Sequence, residues 1–319
     1  MSLEIVRKSV LVAAGLLIIA GCGSDNATTE AVDDRPVIAL VMKSLANEFF
    51  VNMAEGAQQH QREHSTRYEL IVNGIKDESD LTQQVALIEQ MMARGVDALV
   101  VAPADSRALV PVLARAAKSG VVVINIDNAL DADLLMDAGT KIPFIGPDNR
   151  EGARLAGDHL AAALTAGDQV AIVGGIPTAF NAQQRQAGFE DAMAMAGMEL
   201  VSVQAGNWEQ AKASTVAAAL IAEHPDLKAM LCSNDNMAIG AIAAIRQAGK
   251  TGDIQVVGFD NIAAARELIG SGELLATVDQ FGDQLATYGI EYALEILSDG
   301  DMPRDRKTPV KLITANDLK

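Results

Sequence analysis

Polar and aromatic side chains follow six short apolar segments of the chain, at the point where each segment ends. The apolar segments have the length and composition of buried β-strands. Ligands of parallel α/β sheets bind outside the carboxyl ends of the strands, so residues that are far apart in the sequence can meet there. The residues placed in this way are Lys43, Asn47, Phe49, Phe50, Asp127, Trp208, Asn234, Asp260 and Gln280.

These residue types suit the binding of a small hydroxylated molecule. Aromatic rings pack against apolar C–H faces, while carboxylates and amides exchange hydrogen bonds with hydroxyl groups, which both donate and accept. A charged acceptor makes a hydrogen bond about twice as strong as a neutral one, so two carboxylates could fix one stereoisomer. We predict rings on the two faces of the ligand and polar groups around its edge, namely Phe50 and Trp208, and Asp127, Asn234, Asp260 and Gln280.

Each of these residues also has a purely structural explanation. Phe49 could belong to the core, because adjacent helical residues point in different directions. Trp208 could be a buried staple at the start of a helix, and Asn234 and Asp260 could cap the helices that follow them. Lys43 could be a solvated side chain. A ligand site requires instead that these side chains share one cavity.

The sequence evidence for a catalytic, nucleotide-binding or metal-binding site is weak. The chain has no G-x-S-x-G elbow, no P-loop and no G-x-G-x-x-G after its first apolar segment, as hydrolases, NTPases and dinucleotide-binding proteins would require. His60 and His64 have a metal-binding spacing, but their polar segment predicts a solvated helix face. Asp127 and Asp260 could form a glycosidase acid/base pair, but beside aromatics and amides we interpret them as acceptors for sugar hydroxyls. We predict no enzyme activity, no cofactor and no metal.

Length and charge limit the class of protein. With 319 residues the chain is longer than most domains that have a single hydrophobic core, which predicts two domains. Its 25 Lys+Arg and 42 Asp+Glu residues give a formal net charge of -17. Such a charge repels a phosphate backbone, so we predict no nucleic-acid partner.

The first residues predict an export signal. Arg7 and Lys8 precede an apolar stretch, residues 10–20, that is too short to span a bilayer. The ending IAGC resembles the lipobox of bacterial lipoproteins, in which Cys22 would be acylated, and a plain secretory signal is the alternative. We therefore predict a signal peptide at 1–21 and a flexible tether at 22–35. Cys232 then has no disulfide partner and is predicted to be a buried small side chain.

Strand-like and helix-like segments alternate from residue 36 onward, which predicts parallel sheets covered by helices. The first half has predicted strands at 37–42, 68–72, 98–101 and 121–126 and helices at 48–64, 79–94 and 106–118, with Ser79 and Ser106 as helix caps. The rhythm restarts after residue 146, with helices at 149–164, 182–196, 208–223 and 235–248 and strands at 169–173, 198–204, 229–232 and 254–259. Because no long linker separates the halves, we predict several short crossings between them.

Six segments form a specific pattern through their order and spacing. They are IALVMKSLANEFF at 38–50, INID at 124–127, GPDNREGARLAGDHL at 146–160, SNDNMAIGAI at 233–242, VVGFDN at 256–261 and LLATVDQ at 274–280. The pattern resembles the periplasmic ribose-binding proteins and related pentose and hexose carriers of ABC importers, over nearly all of residues 36–313. It implies the type I periplasmic binding fold, an α/β architecture of two similar doubly wound parallel-sheet lobes joined by a multi-strand hinge. The lobes are expected at 36–146 plus 281–308 and at 147–280 plus 309–319.

The resemblance also implies that a monosaccharide binds between the lobes. The family's binding positions correspond here to Lys43, Asn47, Phe49, Phe50, Asp127, Asn128, Asn181, Gln183, Trp208, Asn234, Asp260 and Gln280. The chain departs from the ribose-binding pattern where Asn128 and Gln183 replace arginines and Lys43 replaces a small hydroxyl residue. Because two rigid guanidinium groups are lost, we expect a neutral pentose, hexose, deoxy sugar or short polyol other than ribose, and not a sugar acid. Gln183 also fits a solvated side chain, and Arg185 is interpreted as structural.

The implied function is capture of a neutral sugar or polyol and its delivery to an ABC permease. The protein is expected to be a lipid-anchored monomer in the periplasm or on the outer face of the cytoplasmic membrane. The ligand would favour closure because it touches both lobes. One alternative is a module that presents its sugar to a chemoreceptor or sensor kinase. Another, less favoured, is the core of a LacI-like regulator, which needs a helix-turn-helix where this chain has a signal-like segment.

Overall fold

The computed structural model describes residues 34–318. The predicted signal peptide, Cys22 and the predicted tether as far as residue 33 lie outside the described residues. Within the described range, no helix combines the length and the apolar character that crossing a bilayer requires.

Two six-stranded sheets form the framework of the described residues. Their strands are β1 (Val37–Ser44), β2 (Glu69–Ile75), β3 (Ala98–Val101), β4 (Val122–Ile126), β5 (Phe144–Pro147), β6 (Gln169–Gly174), β7 (Glu199–Ala205), β8 (Leu227–Cys232), β9 (Gln255–Val257), β10 (Ala276–Asp279), β11 (Arg306–Thr308) and β12 (Lys311–Thr314). The first sheet has the order β11-β5-β4-β3-β1-β2 and the second β12-β10-β9-β8-β6-β7. Neighbours are parallel except for β12, which runs antiparallel to β10. The two sheets therefore repeat one doubly wound order, as predicted.

Helices cover both sheets. In the described range they are α1 (Glu48–Glu63), α2 (Leu81–Arg94), α3 (Val110–Lys118), α4 (Ala132–Asp137), α5 (Asn149–Ala161), α6 (Phe180–Met195), α7 (Gln210–Glu223), α8 (Asp235–Gln247), α9 (Ala263–Ser271) and α10 (Gly282–Asp299). The sequence did not predict α4 or α9. Helix α9 has no capping side chain of its own, since its N-cap is Ile262. The usual sequence mark of a helix start is therefore missing there.

Burial alternates along the strands of the first sheet. Ile38 and Leu40 of β1 pack with residues of α1 and α10, and Ala39 and Val41 pack with residues of α2 and α3. The sheet is thus buried on both faces, which explains its continuous apolar strands. Each large aliphatic side chain enclosed in this way contributes about 1.5–3 kcal/mol. Cys232 at the end of β8 is also fully buried and unpaired, as predicted.

The predicted helix caps Ser79 and Ser106 are wrong. Asp80 begins α2 instead, because its side chain accepts the backbone N–H of Gln83 at 2.9 Å. After β3, Asp105 accepts the N–H groups of two following residues at 2.8 and 2.7 Å, and this turn delays α3 to Val110. The Ser106 hydroxyl is consequently available for a contact with the other lobe.

The interpretation of His60 as part of a solvated helix face is also wrong. Helix α10 packs on α1 and places Glu291 Oε1 2.8 Å from His60 Nε2. The Tyr68 hydroxyl lies 2.8 Å from the other ring nitrogen of His60. Burial lowers the pKa of His60, although Glu291 opposes this shift. Within residues 34–318 no group of His, Cys, Asp and Glu side chains has the arrangement of a metal site.

The chain crosses from one sheet to the other three times. It crosses between β5 and α5, between β10 and α10, and between β11 and β12. Helix α5 packs on β9, β10 and β12 of the second sheet, whereas α10 packs on β1, β3, β4 and β5 of the first. These short crossings form a hinge between two lobes that each carry one sheet. The N-terminal lobe below is the one with the first sheet, and the C-terminal lobe is the one with the second.

Candidate ligand-binding site

The carboxyl ends of strands from both sheets border one buried cavity. Its empty volume is about 250 Å³. It is lined by Lys43, Asn47, Phe49, Phe50, Glu78, Asp127, Asn181, Arg185, Trp208, Asn234, Asp260 and Gln280. None of these residues is more than 8% exposed. The cavity is therefore suited to a small solute that both lobes enclose.

All of the predicted ligand-binding residues except Asn128 and Gln183 line this cavity. The lining side chains come from β1, from the start of α1 and from the ends of β4, β8 and β10, among other segments. The rule that ligands bind at the carboxyl ends of parallel strands therefore located the cavity.

Lys43 and Asp127 form a buried ion pair on the N-terminal side of the cavity. Lys43 Nζ lies 2.8 Å from Asp127 Oδ2, and the two side chains are 3% and 2% exposed. The ammonium group also lies 5.5 Å from the ring centre of Phe50 and 5.9 Å from that of Trp208, within range of a cation–π interaction. The alternative of a solvated Lys43 is therefore wrong.

Asn47 links this side of the cavity to Glu78. Its Oδ1 accepts the backbone N–H of Phe49 at 3.1 Å and so caps α1. Its Nδ2 donates to Glu78 Oε1 at 3.1 Å. Phe49 and Phe50 meet edge to face with ring centres 5.1 Å apart. Both rings are buried and line the cavity, so Phe49 belongs to the core and to the site at once.

Asp260 is the central acceptor on the C-terminal side. Gln280 Nε2 donates to its Oδ1 at 2.7 Å, and Arg185 Nη1 lies 3.5 Å from the same oxygen. Burial raises the pKa of Asp260, and Arg185 opposes this shift. The alternative of Asp260 as a helix cap is wrong, because α9 begins after Ile262.

Asn234 caps a helix and also lines the cavity. Its Oδ1 caps α8 by accepting the N–H of Met237 at 2.9 Å. Its Nδ2 donates to the backbone oxygen of Trp208 at 3.3 Å. Because the amide also lines the cavity, the capping bond fixes the orientation in which a ligand would meet it.

Three lining side chains carry a buried polar atom that has neither a hydrogen-bond partner nor an ion-pair partner in the described part of the chain. They are Asn181 Oδ1, Trp208 Nε1 and Gln280 Oε1. Buried polar groups are nearly always hydrogen-bonded, and an unpaired one costs about 1–3 kcal/mol. One donor and two acceptors in a cavity match the hydroxyl groups of a polyhydroxylated ligand.

Backbone strain is concentrated at the cavity. Asp127, Trp208 and Asp260 have φ angles of 65°, 69° and 121°, in the region that favours glycine. Such conformations cost on the order of 1–3 kcal/mol each and gather at ligand-binding sites. Trp208 also directly precedes Glu209, the N-cap of α7, and its side chain is buried, so the structural role as a hydrophobic staple fits this turn as well.

The ring of Trp208 occupies space left by a glycine. A Cβ atom on Gly175, directly after β6, would lie 2.1 Å from Cζ2 of Trp208. The ring therefore reaches its position against the cavity only because residue 175 has no side chain.

Asn128 and Gln183 are corrections to the sequence prediction. Asn128 does not line the cavity, because its side chain is fully engaged elsewhere. Its Nδ2 donates to Pro103 O at 3.0 Å, and its Oδ1 accepts the backbone N–H of Asn181 at 3.1 Å. Gln183 is exposed, and its Nε2 donates to Pro177 O at 2.9 Å.

Two helices of the C-terminal lobe are capped by side chains of the N-terminal lobe. The N–H groups of Phe180 and Asn181, at the start of α6, donate to Ser106 Oγ at 2.9 Å and to Asn128 Oδ1. At the start of α9, the N–H of Ala263 donates to Glu48 Oε1 at 2.7 Å. In neither helix does the N-cap residue supply a capping side chain of its own. Since a helix start leaves N–H groups unpaired, these contacts stabilise the closed arrangement.

A family model described as a periplasmic binding protein domain matches residues 38–301. The chain belongs to this family. Over 307 residues, the chain is 51% identical to the D-ribose/D-allose-binding protein of Pseudomonas aeruginosa, a match that covers 94% of this chain and 96% of that protein.

Solved structures of solute-binding proteins of ABC transporters resemble this periplasmic binding protein. One from Burkholderia multivorans, with an unknown ligand fitted as alpha-D-erythrofuranose, has 52% identity and a TM-score of 0.87 over 88% of this chain and 99% of that chain. Another, from Actinobacillus succinogenes with bound D-allose, has 34% identity and a TM-score of 0.84 over 89% of this chain and 99% of that chain. The predicted family resemblance and fold class are confirmed.

Two residues that line the cavity of this periplasmic binding protein were not among the predicted binding residues. Arg185 was interpreted as structural, and it does have that role, since Nε donates to Asn149 Oδ1 at 2.7 Å and Nη1 to Ser233 O at 2.8 Å. Its guanidinium carbon also lies 5.6 Å from the ring centre of Trp208, so it borders the cavity as well. Glu78 was not predicted as a site residue. It lies three residues after β2, and the rule that polar residues follow strands would have found it.

Proposed function

We propose that the protein is a lipid-anchored extracytoplasmic binding protein that captures a neutral aldose and delivers it to an ABC permease. The observation that supports this most is the buried cavity between the lobes, with aromatic rings, carboxylates and unpaired polar atoms facing one small space. A monosaccharide has hydroxyl groups and C–H faces that complement these groups.

The charges in the cavity favour an uncharged ligand. Lys43 is paired with Asp127, and Arg185 lies beside Asp260. Each cation therefore already faces a carboxylate of the protein. A sugar acid would bring a further negative charge into a buried site without a free cation to meet it, which is costly.

The relatives narrow the proposal to aldoses of the ribose and allose type. The protein of Pseudomonas aeruginosa is named for D-ribose and D-allose, and the structure from Actinobacillus succinogenes holds D-allose. The proposal therefore includes ribose, which the sequence argument set aside because Asn128 and Gln183 replace arginines. Neither residue lines the cavity, so the replacement of arginines at these two positions is a weak reason to exclude ribose.

Closure of the two lobes is the proposed mechanism of capture. A ligand that touches Lys43, Phe50 and Asp127 on one side and Trp208 and Asp260 on the other binds the closed form more tightly than the open form. This difference in affinity shifts the equilibrium towards closure. The closed outline is then what the permease would recognise.

Binding can be tested with the purified protein and a set of pentoses, hexoses and polyols. We expect D-allose and D-ribose to raise the unfolding temperature, because a ligand at about 100 times its Kd adds roughly 2.7 kcal/mol of stability. Calorimetry then gives each Kd. A set of sugars without any effect contradicts the proposal. Loss of labelled-sugar uptake when the gene is deleted separates transport from sensing.

The lipid anchor is tested independently. We expect mass spectrometry of the mature protein from membranes to show an acylated N-terminal Cys22, and Cys22→Ala to abolish the acylation. An unmodified mature protein that begins at another residue contradicts the anchor and supports a plain secretory signal.

A further inference from the structure

Glu78 borders the cavity from the loop between β2 and α2. Its side chain is buried, with 4% of the residue exposed. Asn47 Nδ2 donates to its Oε1 at 3.1 Å, which fixes the carboxyl group against the cavity. Among residues 34–318, Glu78 takes part in no salt bridge. It is thus a buried carboxyl group at the site without a cation of its own.

The charged groups around Glu78 come from both lobes. Lys43 on β1 attracts its negative charge, but this ammonium group is already 2.8 Å from Asp127. Asp127 after β4 and Glu209 before α7 both repel it. Arg185 and Asp260 face the same cavity from the C-terminal lobe. Burial is the largest influence and raises the pKa of Glu78 to about 7.

We propose that Glu78 contacts a hydroxyl group of the enclosed sugar as a neutral carboxylic acid, so that binding takes up a proton. This inference rests on the proposed function. A neutral carboxyl group donates and accepts hydrogen bonds, as a hydroxyl group does. An ionised Glu78 could only accept, and closure would leave it as a buried charge without a partner, which is costly.

The proton changes affinity in a defined direction. In the open protein, water reaches Glu78 and its pKa lies closer to the ordinary value of 4.5. Closure raises this pKa to about 7, so the closed form binds the proton more tightly between these values. Affinity for the sugar is therefore highest at low pH, falls by up to about tenfold per pH unit across this window, and becomes level above it.

Calorimetry with D-allose and D-ribose tests this inference. Titrations between about pH 5 and pH 8, in pairs of buffers with different ionisation enthalpies, give the affinity and the number of protons taken up. We expect wild type to take up a fraction of a proton near pH 6, and E78Q to take up less and to have a flatter affinity profile. E78A should lose about tenfold in affinity at low pH, the effect of one missing hydrogen bond. The matched control is Glu89→Gln, an exposed residue of α2, which should behave as wild type.

Each outcome decides the inference. A decrease in proton uptake in E78Q with sugar binding retained supports it. Equal proton uptake in wild type and E78Q, or an E78A affinity equal to wild type, overturns the role of Glu78 and leaves the proposed function intact. If E78Q does not fold, absence of proton uptake by wild type itself overturns the inference. Absence of binding of both sugars by wild type counts against the proposed ligand class and this inference together.

Discussion

Asn128 of the N-terminal lobe accepts the backbone N–H of Asn181 in the C-terminal lobe at 3.1 Å. The bond joins the two lobes, and the Asn128 side chain is outside the cavity. We therefore expect its energetic effect on the proposed equilibrium between open and closed forms, and not on the contact with the ligand.

Asn128→Ala should weaken sugar binding although the residue does not line the cavity. Loss of a helix-capping side chain costs about 0.5–2 kcal/mol, so we expect an affinity about fivefold lower. Calorimetry with D-allose measures the change. Gln183→Ala is the matched control, because Gln183 is exposed and lies on the capped helix itself. Equal affinities of wild type and Asn128→Ala would show that the cap does not affect closure.

Lys43→Met should reduce affinity much more strongly. It leaves Asp127 buried in the closed form without the cation that lies 2.8 Å away, a loss on the order of 3 kcal/mol. The double variant with Asp127→Asn removes both charges and should recover part of this loss. The double variant could instead lose as much binding free energy as the two single variants lose together. That result would mean that each side chain acts on the ligand separately.

Gly175→Ala should displace the ring of Trp208. The new methyl group would lie 2.1 Å from Cζ2 of the ring, too close for a Cβ contact, so the ring must shift. We expect affinity to fall at least about tenfold, comparable with the loss of the aromatic contact itself. Trp208 is the only tryptophan in the chain, so its fluorescence reports the displacement directly.

Gly174→Ala is the control for this variant. A Cβ atom there meets only Gln204 O at 3.7 Å, an ordinary contact, so fluorescence and affinity should stay unchanged. If Gly174→Ala changed fluorescence and affinity as much as Gly175→Ala, the cause would be a disturbance of the end of β6 and not displacement of the Trp208 ring.

Asp235 should make the stability of the protein depend on pH. Burial raises the pKa of this carboxyl group from 3.8 to about 7. The folded state then holds the proton more tightly than the unfolded state, so the stabilisation is complete below about pH 4 and is lost as the pH rises through 7. The free energy of unfolding of Asp235→Asn minus that of wild type should therefore increase by on the order of 2 kcal/mol as the pH rises from about 5 to about 8.

Urea titrations at both pH values measure this difference for Asp235→Asn. The exposed Asp133→Asn on α4 provides a control in which no such change is expected. A constant difference between wild type and Asp235→Asn across the pH range would show that Asp235 keeps the same charge throughout.

The sequence predicted the two sheets and most of the cavity, and its errors have local causes. Asn181 and Arg185 lie four residues apart on α6 and share a helix face, which lines the cavity. Gln183, two residues from each, lies on the opposite face. The resemblance assigned Asn181 and Gln183 to the site, and Arg185 was interpreted as structural. The helical period explains why Asn181 and Arg185 face the cavity and Gln183 does not.

Other features could not be predicted because they depend on the arrangement of the lobes. Helix α9 starts without a local cap, and its first N–H bonds to Glu48, which is more than two hundred residues away in the chain. Similarly, Ser106 has the sequence context of a helix cap but accepts a bond from Phe180 across the cleft. Only the folded structure shows that such caps come from the other lobe. The lobe boundaries and the ligand contacts themselves stay predictions.

The three crossings between the lobes use strands that are neighbours. Strands β5 and β11 pair in the first sheet, and β10 and β12 pair in the second, so the crossings run side by side. A row of adjacent strands bends readily about one axis but resists sliding and rotation about other axes. We therefore expect the two halves of the molecule to return to the same alignment each time the cleft shuts, so that capture needs no search for their correct mutual orientation.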